Sequence, residues 1–229
     1  MLNSMSINPV PEILFIGKKD DYFSKVAADY LKKNIPSALI IYSSKSEPIP
    51  DRVKDWKGDY IISYLSQWII PATILENAKK GGINLHPGSP DYPGIGCTNF
   101  AIYNHEKVFG ITCHYMAAKV DTGPIIKVAR FPIHQNDTVY SLTQRCYSCI
   151  LNVFFELIDD FLEGKKPGIS DEHWKRKPYT RKELNSLCLL TKEMNEEEIK
   201  RRIAATTFGN KAWAYFELNG EKLFLNSDE

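Results

Sequence analysis

Short apolar runs alternate with amphipathic stretches through the first half of the chain, and this alternation constrains the fold more than any other feature. Each run is long enough for one buried strand, and each stretch between two runs repeats its apolar residues with the period of a helix. This order predicts an α/β protein with an open, mostly parallel sheet flanked by helices. The predicted strands are 12–17, 37–42, 59–65 and 83–85, and the predicted helices are 20–33 and 71–80.

The middle of the sequence predicts a strand pair followed by a long helix. Two runs of alternating residues are separated by a turn at 121–124, and an amphipathic stretch with a stop at Gly164 comes after them. The predicted elements are a helix at 98–104, strands at 109–117 and 125–133, and a helix at 137–163. We expect the long helix to pack across the sheet.

A change of composition marks a C-terminal extension. Residues 165–182 are rich in basic residues, proline and aromatics, which predicts irregular chain. Asn195 is typical of a helix N-cap, and Asn219-Gly220 between two alternating runs predicts a β-hairpin. We therefore divide the chain into a catalytic core, 1–164, and an extension that ends in the hairpin, 165–229.

A loop rich in proline and glycine follows the fourth predicted strand. Residues 86–96 (HPGSPDYPGIG) contain three of the 13 prolines and three of the 13 glycines, too many for the interior of a helix or strand. Ligands of open α/β sheets bind beyond the carboxyl ends of the strands. We therefore expect a functional site where this loop begins.

Three polar residues can converge at that edge of the sheet. Asn84 and His86 lie two apart at the end of a strand, so their side chains share one face. Asp121 follows 35 positions after His86 and reaches the same edge if the strand pair folds back. Each residue also has a plain interpretation, since histidines at strand ends are often surface or capping residues and Asp-Thr-Gly-Pro is a ready β-turn.

An amide, an imidazole and a carboxylate are sufficient for attack of an amine on a carbonyl carbon. This reaction needs a stabilised oxyanion and a proton moved from the attacking nitrogen to the departing one. Asn84 would donate to the oxyanion, His86 would act as base and then acid, and Asp121 would orient the imidazole. The set requires no metal, and the rate should fall in acid as His86 becomes protonated.

Charge and cysteine content exclude several classes of protein. The 29 basic and 28 acidic residues nearly cancel, so no global field attracts nucleic acid or an anionic membrane surface. No apolar stretch approaches the ~18 residues that a membrane span needs. Five cysteines, an odd number without a secretory signal, favour reduced thiols and a cytoplasmic location.

Several short motifs match the sequence of a known kind of site but lack the other residues that such a site needs. Asp121-Thr122-Gly123 matches an aspartic protease motif, but those enzymes pair two such carboxylates and the sequence has one. Gly17 lacks the further glycines of a dinucleotide-binding loop. Cys146 and Cys149 fall within the long predicted helix, and Cys113-His114 lies on a strand whose alternation places the two side chains on opposite faces. We therefore predict no metal site.

A series of motifs resembles the folate-dependent formyltransferases, most strongly over residues 59–135. The motifs are 83–87 (INLHP), 92–94 (YPG), 100–104 (FAIYN), 110–116 (GITCHYM) and 120–123 (VDTG). The resemblance implies a Rossmann-like formyltransferase core, with Asn84, His86 and Asp121 as its catalytic residues. It also implies N10-formyltetrahydrofolate as donor. The donor-site candidates are Ser63, Tyr64, Leu65, Ser66 and Val120.

Further motifs most resemble the short nucleotide-sugar N-formyltransferases of this family. These motifs are 86–94 (HPGSPDYPG), 176–184 (RKPYTRKEL), 204–208 (AATTF) and 215–220 (YFELNG). The resemblance implies dTDP-4-amino-4,6-dideoxyglucose as acceptor, used for surface polysaccharide such as O-antigen. Methionyl-tRNA and glycinamide ribonucleotide remain alternative acceptors, and a scaffold dimer without catalysis is the alternative from another class.

The acceptor suggests where to look for its binding residues. A pyrophosphate and a planar base favour cations and aromatic faces. Lys18 after the first strand, Tyr92 in the proline-rich loop and Arg181 in the basic segment are therefore candidates for substrate binding. The hairpin, with aromatic residues on its faces, predicts an oligomer surface, most simply that of a homodimer.

Overall fold

A six-stranded sheet forms the centre of the computed structural model, which describes residues 10–225. Its strands are β1 (Ile13–Lys18), β2 (Leu39–Ser43), β3 (Gly58–Tyr64), β4 (Ala78–His86), β5 (Val108–Tyr115) and β6 (Ile125–Pro132). The strand order is β2-β1-β3-β4-β5-β6. The first four strands are parallel, and β5 and β6 are antiparallel to their neighbours. The predicted class, an open and mostly parallel sheet, is confirmed.

Helices and short strands complete the described chain. The helices are α1 (Tyr22–Asn34), α2 (Asp51–Lys54), α3 (Ala72–Leu75), α4 (Cys97–Tyr103), α5 (Val139–Leu162), α6 (Arg181–Cys188) and α7 (Glu196–Thr206). The short strands are β7 (Leu189–Leu190), β8 (Thr207–Phe208), β9 (Lys211–Ala212), β10 (Tyr215–Leu218) and β11 (Glu221–Phe224). In a second sheet, β10 pairs with β11 and with β7.

The sheet is buried on both faces, as its parallel strands require. Phe15 on β1 faces the larger core cluster, where its ring contacts those of Tyr64 and Phe154 from α5. Its neighbours Leu14 and Ile16 belong to the smaller cluster on the opposite face. The predicted packing of the long helix across the sheet is therefore confirmed.

One predicted helix is wrong over most of its length. The helix predicted at 71–80 is only the single turn α3, and the chain then enters β4 at Ala78, five residues before the strand predicted at 83–85. Gly81, with φ of 106°, and Gly82 lie in this strand. These glycines lie beyond the predicted helix, whereas pairing with β3 begins already at Ala78, inside it. Tertiary pairing thus decides the structure of this segment.

The C-terminal elements follow their local signals. Asn195 caps α7 by accepting from the Glu198 amide, and the hairpin turns at Asn219 and Gly220 with φ of 51° and 82°. Helix α6 was not predicted, although Thr180 and Glu183 form a capping box. The division of the chain at residue 164 stays a prediction.

A segment without regular structure, residues 163–180, runs from α5 to α6, and we call it the strap. It crosses the outside of β6 and the proline-rich loop, and it is held there mostly by its backbone. The Ser170 amide donates to Ile125, the Lys175 amide donates to Pro90, and the Tyr179 amide donates to Pro93. The strap therefore covers the edge of the sheet where β4 ends.

All five cysteines are free thiols. Cys146 is fully buried and Cys149 is partly buried on α5, in agreement with their interpretation as core residues. Burial raises the pKa of Cys97 and of Cys113 to about 12. Within residues 10–225, no helix is both long and apolar enough to cross a membrane.

Candidate active site

Two neighbouring strands supply the polar face of the site. Asn84 and His86 leave the end of β4 on the same face, as alternation predicts. In the antiparallel ladder, Asn84 stands directly opposite His114 of β5, and the Asn84 amide nitrogen lies 3.1 Å from His114 Nε2. Strand pairing thus brings a second imidazole to the predicted set.

Asp121 joins these residues from the turn between β5 and β6. Its carboxylate lies 3.3 Å from His86 Nδ1 and 3.3 Å from His114 Nε2, and Asn84 Nδ2 lies 3.5 Å away. The Gly94 amide of the proline-rich loop donates to the same carboxylate at 2.8 Å. The structure therefore brings Asn84, His86 and Asp121 together.

The backbone of Asp121 adopts a conformation that most residues avoid. Its φ is 48°, in the left-handed region where Asn and Asp are tolerated better than bulkier residues. Two residues later, Gly123 packs so closely on β5 that an added Cβ would lie 1.8 Å from the Tyr115 carbonyl oxygen. The turn is fixed in one shape, which aims the carboxylate at the imidazoles.

The three ionisable groups are almost completely buried. His86, His114 and Asp121 are 5%, 1% and 5% exposed. Burial alone would raise the pKa of Asp121, but the neighbouring imidazoles of His86 and His114 and the Gly94 amide together lower it to about 2. Asp121 is therefore a carboxylate at neutral pH.

Hydrogen bonds to backbone carbonyls assign one hydrogen on each imidazole. His86 Nε2 lies 2.9 Å from the Tyr92 carbonyl oxygen, and His114 Nδ1 lies 2.8 Å from the Tyr115 carbonyl oxygen. A carbonyl only accepts, so both of these nitrogens carry hydrogen. The nitrogen through which His86 can take up or release a proton is thus Nδ1, on the side of Asp121.

Sequence reasoning missed His114 as a site residue. The prediction that Cys113 and His114 point to opposite faces is correct, since Cys113 is buried in the larger core cluster. The sequence pattern does not give the register between β4 and β5, and this register sets His114 opposite Asn84. A signal was present, because Cys113-His114 lies within the motif at 110–116.

A cavity of about 290 Å³ opens beside this cluster. Asn84, His86, His114 and Asp121 form its polar wall, and Leu65, Trp68 and Ile70 contribute apolar surface. Four of the five donor-site candidates line it, namely Ser63, Leu65, Ser66 and Val120. Tyr64 does not, because its ring is directed into the core, where its hydroxyl has no hydrogen-bond partner among the described residues.

The loop after β3 forms one rim of this cavity. Leu65 has φ of 53°, an unusual value for a leucine that often marks a functional position. The Ser66 hydroxyl accepts from the Trp68 amide and bonds the Ser43 hydroxyl at the end of β2. The rim is thus held in shape by its own hydrogen bonds.

The three candidates for substrate binding lie in different environments. Lys18 ends β1, 3.5 Å from Asp21 and over the ring of Tyr147, which lines the cavity. The ring of Tyr92 is buried in the core with its hydroxyl bonded to Glu106, so only its carbonyl reaches the site. Arg181 is exposed at the start of α6 and does not line the cavity.

Gly123→Ala should destabilise the fold, because its Cβ would overlap the Tyr115 carbonyl. We expect the free energy of unfolding to fall by about 3 kcal/mol or more, the upper end of the cost of overpacking. Denaturation with urea measures it. Gly168→Ala is the matched control, since an added Cβ meets nothing there within 4 Å. Equal stability of the two variants would contradict the described packing.

The low pKa of Asp121 predicts a loss of stability in acid. A carboxylate whose folded pKa is about 2, against an ordinary value of 3.8, stabilises the fold above the unfolded pKa. This contribution, about 2 kcal/mol, is lost as the pH falls from 3.8 to 2. We expect Asp121→Asn, which suits the left-handed backbone, to flatten the decline of unfolding free energy over this range.

The measurement is denaturant unfolding at a series of pH values. Asp171→Asn, a change at an exposed residue of the strap, is the matched control and should keep the wild-type slope. A slope for Asp121→Asn as steep as that of the wild type would show that Asp121 does not carry this stability.

No group of three His, Cys, Asp or Glu in the described part of the chain is arranged to hold a metal ion. The metal-free mechanism stays a prediction.

Comparison with known proteins gives a family match and curated relatives that cover most of the chain. Residues 12–157 match the family model described as formyl transferase. A GDP-perosamine N-formyltransferase of Brucella melitensis is 28% identical over 186 residues, which cover 81% of this chain and 71% of the Brucella protein. The family match at 12–157 includes the strands and turns that carry the candidate site.

Solved structures agree in fold across almost the whole chain. A sugar N-formyltransferase from a Shewanella species superposes with a TM-score of 0.76 at 19% identity, covering 95% of this chain and 97% of that one. An N-formyltransferase from Helicobacter canadensis, solved with folinic acid and dTDP-3-aminofucose, gives 0.71 at 19% identity over 92% and 85% of the two chains. At these identities the likeness establishes the fold alone.

Proposed function

The chain belongs to the formyl transferase family, and on that premise we propose that it transfers a formyl group from N10-formyltetrahydrofolate to the amine of a nucleotide-linked amino sugar. The observation that carries the proposal is the cluster of Asn84, His86 and Asp121 on the wall of one cavity. An amide donor, an imidazole and a buried carboxylate are the groups that formyl transfer to an amine needs.

Asn84 would stabilise the negative charge that develops on the carbonyl oxygen. One hydrogen of its amide is directed to His114 Nε2 at 3.1 Å, whereas the contact with Asp121 is 3.5 Å long and therefore weak. The second amide hydrogen is thus available to an oxyanion in the cavity. His114 holds the amide in this orientation.

His86 would accept the proton of the attacking amine, and Asp121 would stabilise the charged imidazole. The Tyr92 carbonyl fixes His86 Nε2 as a donor, so a proton from the attacking amine reaches the ring at Nδ1, beside Asp121. The carboxylate, ionised at neutral pH, stabilises the imidazolium that forms. His86 then returns the proton to the departing nitrogen.

The residues around the cavity fit a folate donor. A flat, polar heterocycle needs backbone hydrogen-bonding groups along one edge and apolar surface against its faces. Ser63, Ser66 and residues 117–121 line the cavity and would supply the backbone edges, and Leu65, Trp68 and Val120 would supply the apolar surface. When bound, the donor supplies the formyl carbon next to Asn84 and His86.

The acceptor we favour is dTDP-4-amino-4,6-dideoxyglucose, in the synthesis of surface polysaccharide such as O-antigen. Support comes from the acceptor of the Brucella relative, GDP-perosamine, and from the dTDP-sugar bound to the Helicobacter structure. Lys18, near the cavity and just before α1, is the candidate for the pyrophosphate. We place the reaction in the cytoplasm, where five free thiols stay reduced.

A panel of acceptors tests the proposal. The protein would be incubated with N10-formyltetrahydrofolate and dTDP- or GDP-linked 3- and 4-amino sugars, glycinamide ribonucleotide or initiator methionyl-tRNA, and the products identified by mass spectrometry. We expect formylation of the dTDP-linked 4-amine. Formylation of another acceptor alone would overturn the choice of sugar, and no transfer to any of them would overturn the activity.

We also propose that the C-terminal hairpin forms a homodimer interface. Leu218 and Leu223 share one face of the hairpin and are about half exposed, at 55% and 49%, and Phe224 on the opposite face is 50% exposed. Neighbouring apolar side chains left open in this way are typical of an interaction surface. We expect twice the chain mass by light scattering and the chain mass for Leu223→Lys. The mass of a single chain for the wild-type protein would contradict the proposed dimer.

A further inference from the structure

We propose that Trp174, in the middle of the strap, is a positioning residue that holds His86 and the Asp121 turn in the geometry for catalysis. The inference rests on the proposed function for its kinetic consequence. Its geometric part can be tested in the protein without substrates. Trp174 lies outside the motifs that carry the family resemblance, and sequence reasoning gave it no role.

Trp174 contacts both imidazoles of the site. Its ring centroid lies 6.0 Å from that of His86 and 5.0 Å from that of His114, with interplanar angles of 68° and 86°. Edge-to-face contacts of this kind are favourable and orient the rings concerned. One side chain therefore restricts the tilt of both histidines that face Asp121.

The indole also binds the turn that carries the carboxylate. Trp174 Nε1 donates to the Gly123 carbonyl at 2.8 Å, two residues beyond Asp121. Gly123 is pressed against β5 on its other side, where it leaves no room for a side chain. The turn is thus held between a strand and the indole, and Asp121 stays within 3.3 Å of both histidines.

The strap places Trp174 accurately because it is anchored on both sides of it. Before it, the Ser170 amide donates to Ile125, and Glu172 forms a two-bond ion pair with Arg130 of β6. After it, the backbone of Tyr179 both donates to Pro93 and accepts from Ile95, beside the Gly94 amide that holds Asp121. The strap thereby joins the proline-rich loop to the Asp121 turn.

Exclusion of water is the second effect of the indole. Asp121, His86 and His114 form their contacts in a site with little exposure, where each interaction is stronger than in water. Removing a large ring that lies against both imidazoles would admit solvent to them. A small misplacement of catalytic groups is enough to cost ~10²-fold in rate.

The experiment compares Trp174→Ala, Trp174→Phe and Ile169→Ala, a matched control at an exposed residue of the same strap. The measurements are kcat and KM for both substrates, and the ¹⁵N resonances of the imidazoles in the protein without substrates. We expect kcat of Trp174→Ala to fall by ~10–100-fold with little change in either KM. Phenylalanine keeps a ring against the imidazoles but not the N–H, so it should restore part of kcat.

The imidazole resonances decide between positioning and plain stability. We expect those of His86 and His114 to move in Trp174→Ala and to stay in Ile169→Ala. Wild-type resonances and kcat in Trp174→Ala, below its melting temperature, would overturn the proposal. If the wild type transfers no formyl group but the resonances still move, the proposed function fails and the positioning role stands.

Discussion

Replacing Asn84 by alanine should lower kcat about a hundredfold or more, the loss typical of a single oxyanion donor. The amide is held at the end of β4 by His114 and has one hydrogen without a short bond. Alanine removes that donor together with its contact to His114 Nε2. Steady-state kinetics with saturating donor and acceptor measures the effect, and KM should change far less than kcat because the interaction is made mainly in the transition state.

Asn185→Ala is the matched control, since it removes an exposed amide on α6, away from the cavity. Its kcat should equal that of the wild type. Turnover of Asn84→Ala at the wild-type rate would remove Asn84 from the mechanism, and a tenfold rise in KM without a change in kcat would make it a binding residue.

Replacing His86 by alanine should lower kcat/KM by ~10²–10⁴-fold, the usual contribution of a general acid–base group. His86 Nδ1 lies beside Asp121, and Nε2 is occupied by the Tyr92 carbonyl, so the proton transfer proposed for His86 depends on Nδ1. The wild-type enzyme should lose activity in acid, where the imidazole can no longer accept a proton. The pH profile of kcat/KM measures both effects.

His105→Ala is the control for this variant, because His105 is exposed and lies beyond the end of α4. We expect it to keep the wild-type rate and the wild-type acid limb. If kcat/KM of His86→Ala still falls in acid as it does in the wild type, the loss of activity belongs to another group. His114 would be the first of these to test.

The fold was largely predictable because its elements are specified locally. The apolar runs became β1, β2 and β3 within two residues of their predicted ends, and Asn195 and Asn219-Gly220 formed the cap and the turn expected of them. The exception is 71–80, where pairing with β3 from Ala78 onward overrides the helix period after a single turn. No local pattern contains that pairing.

The candidate site was predictable to the extent that it depends on alternation and family motifs. Both placed Asn84 and His86, and the predicted return of the strand pair together with the motif at 120–123 placed Asp121. His114 was not predicted because its position depends on the register between β4 and β5. Trp174 was not predicted because its position depends on the path of the strap. Tyr92 shows the converse, since its position in the proline-rich loop gave no sign that its ring enters the core.

The ladder between β4 and β5 has a consequence for attempts to alter this protein. Asn84 pairs with His114 on the site face, and the next pair, Leu85 with Cys113, lies in the core. A slip of one residue would exchange these faces, so the same side chains that fill the interior also keep the candidate catalytic groups in register. Laboratory evolution towards new acceptors should therefore randomise the rim at 65–70 and leave both strands intact.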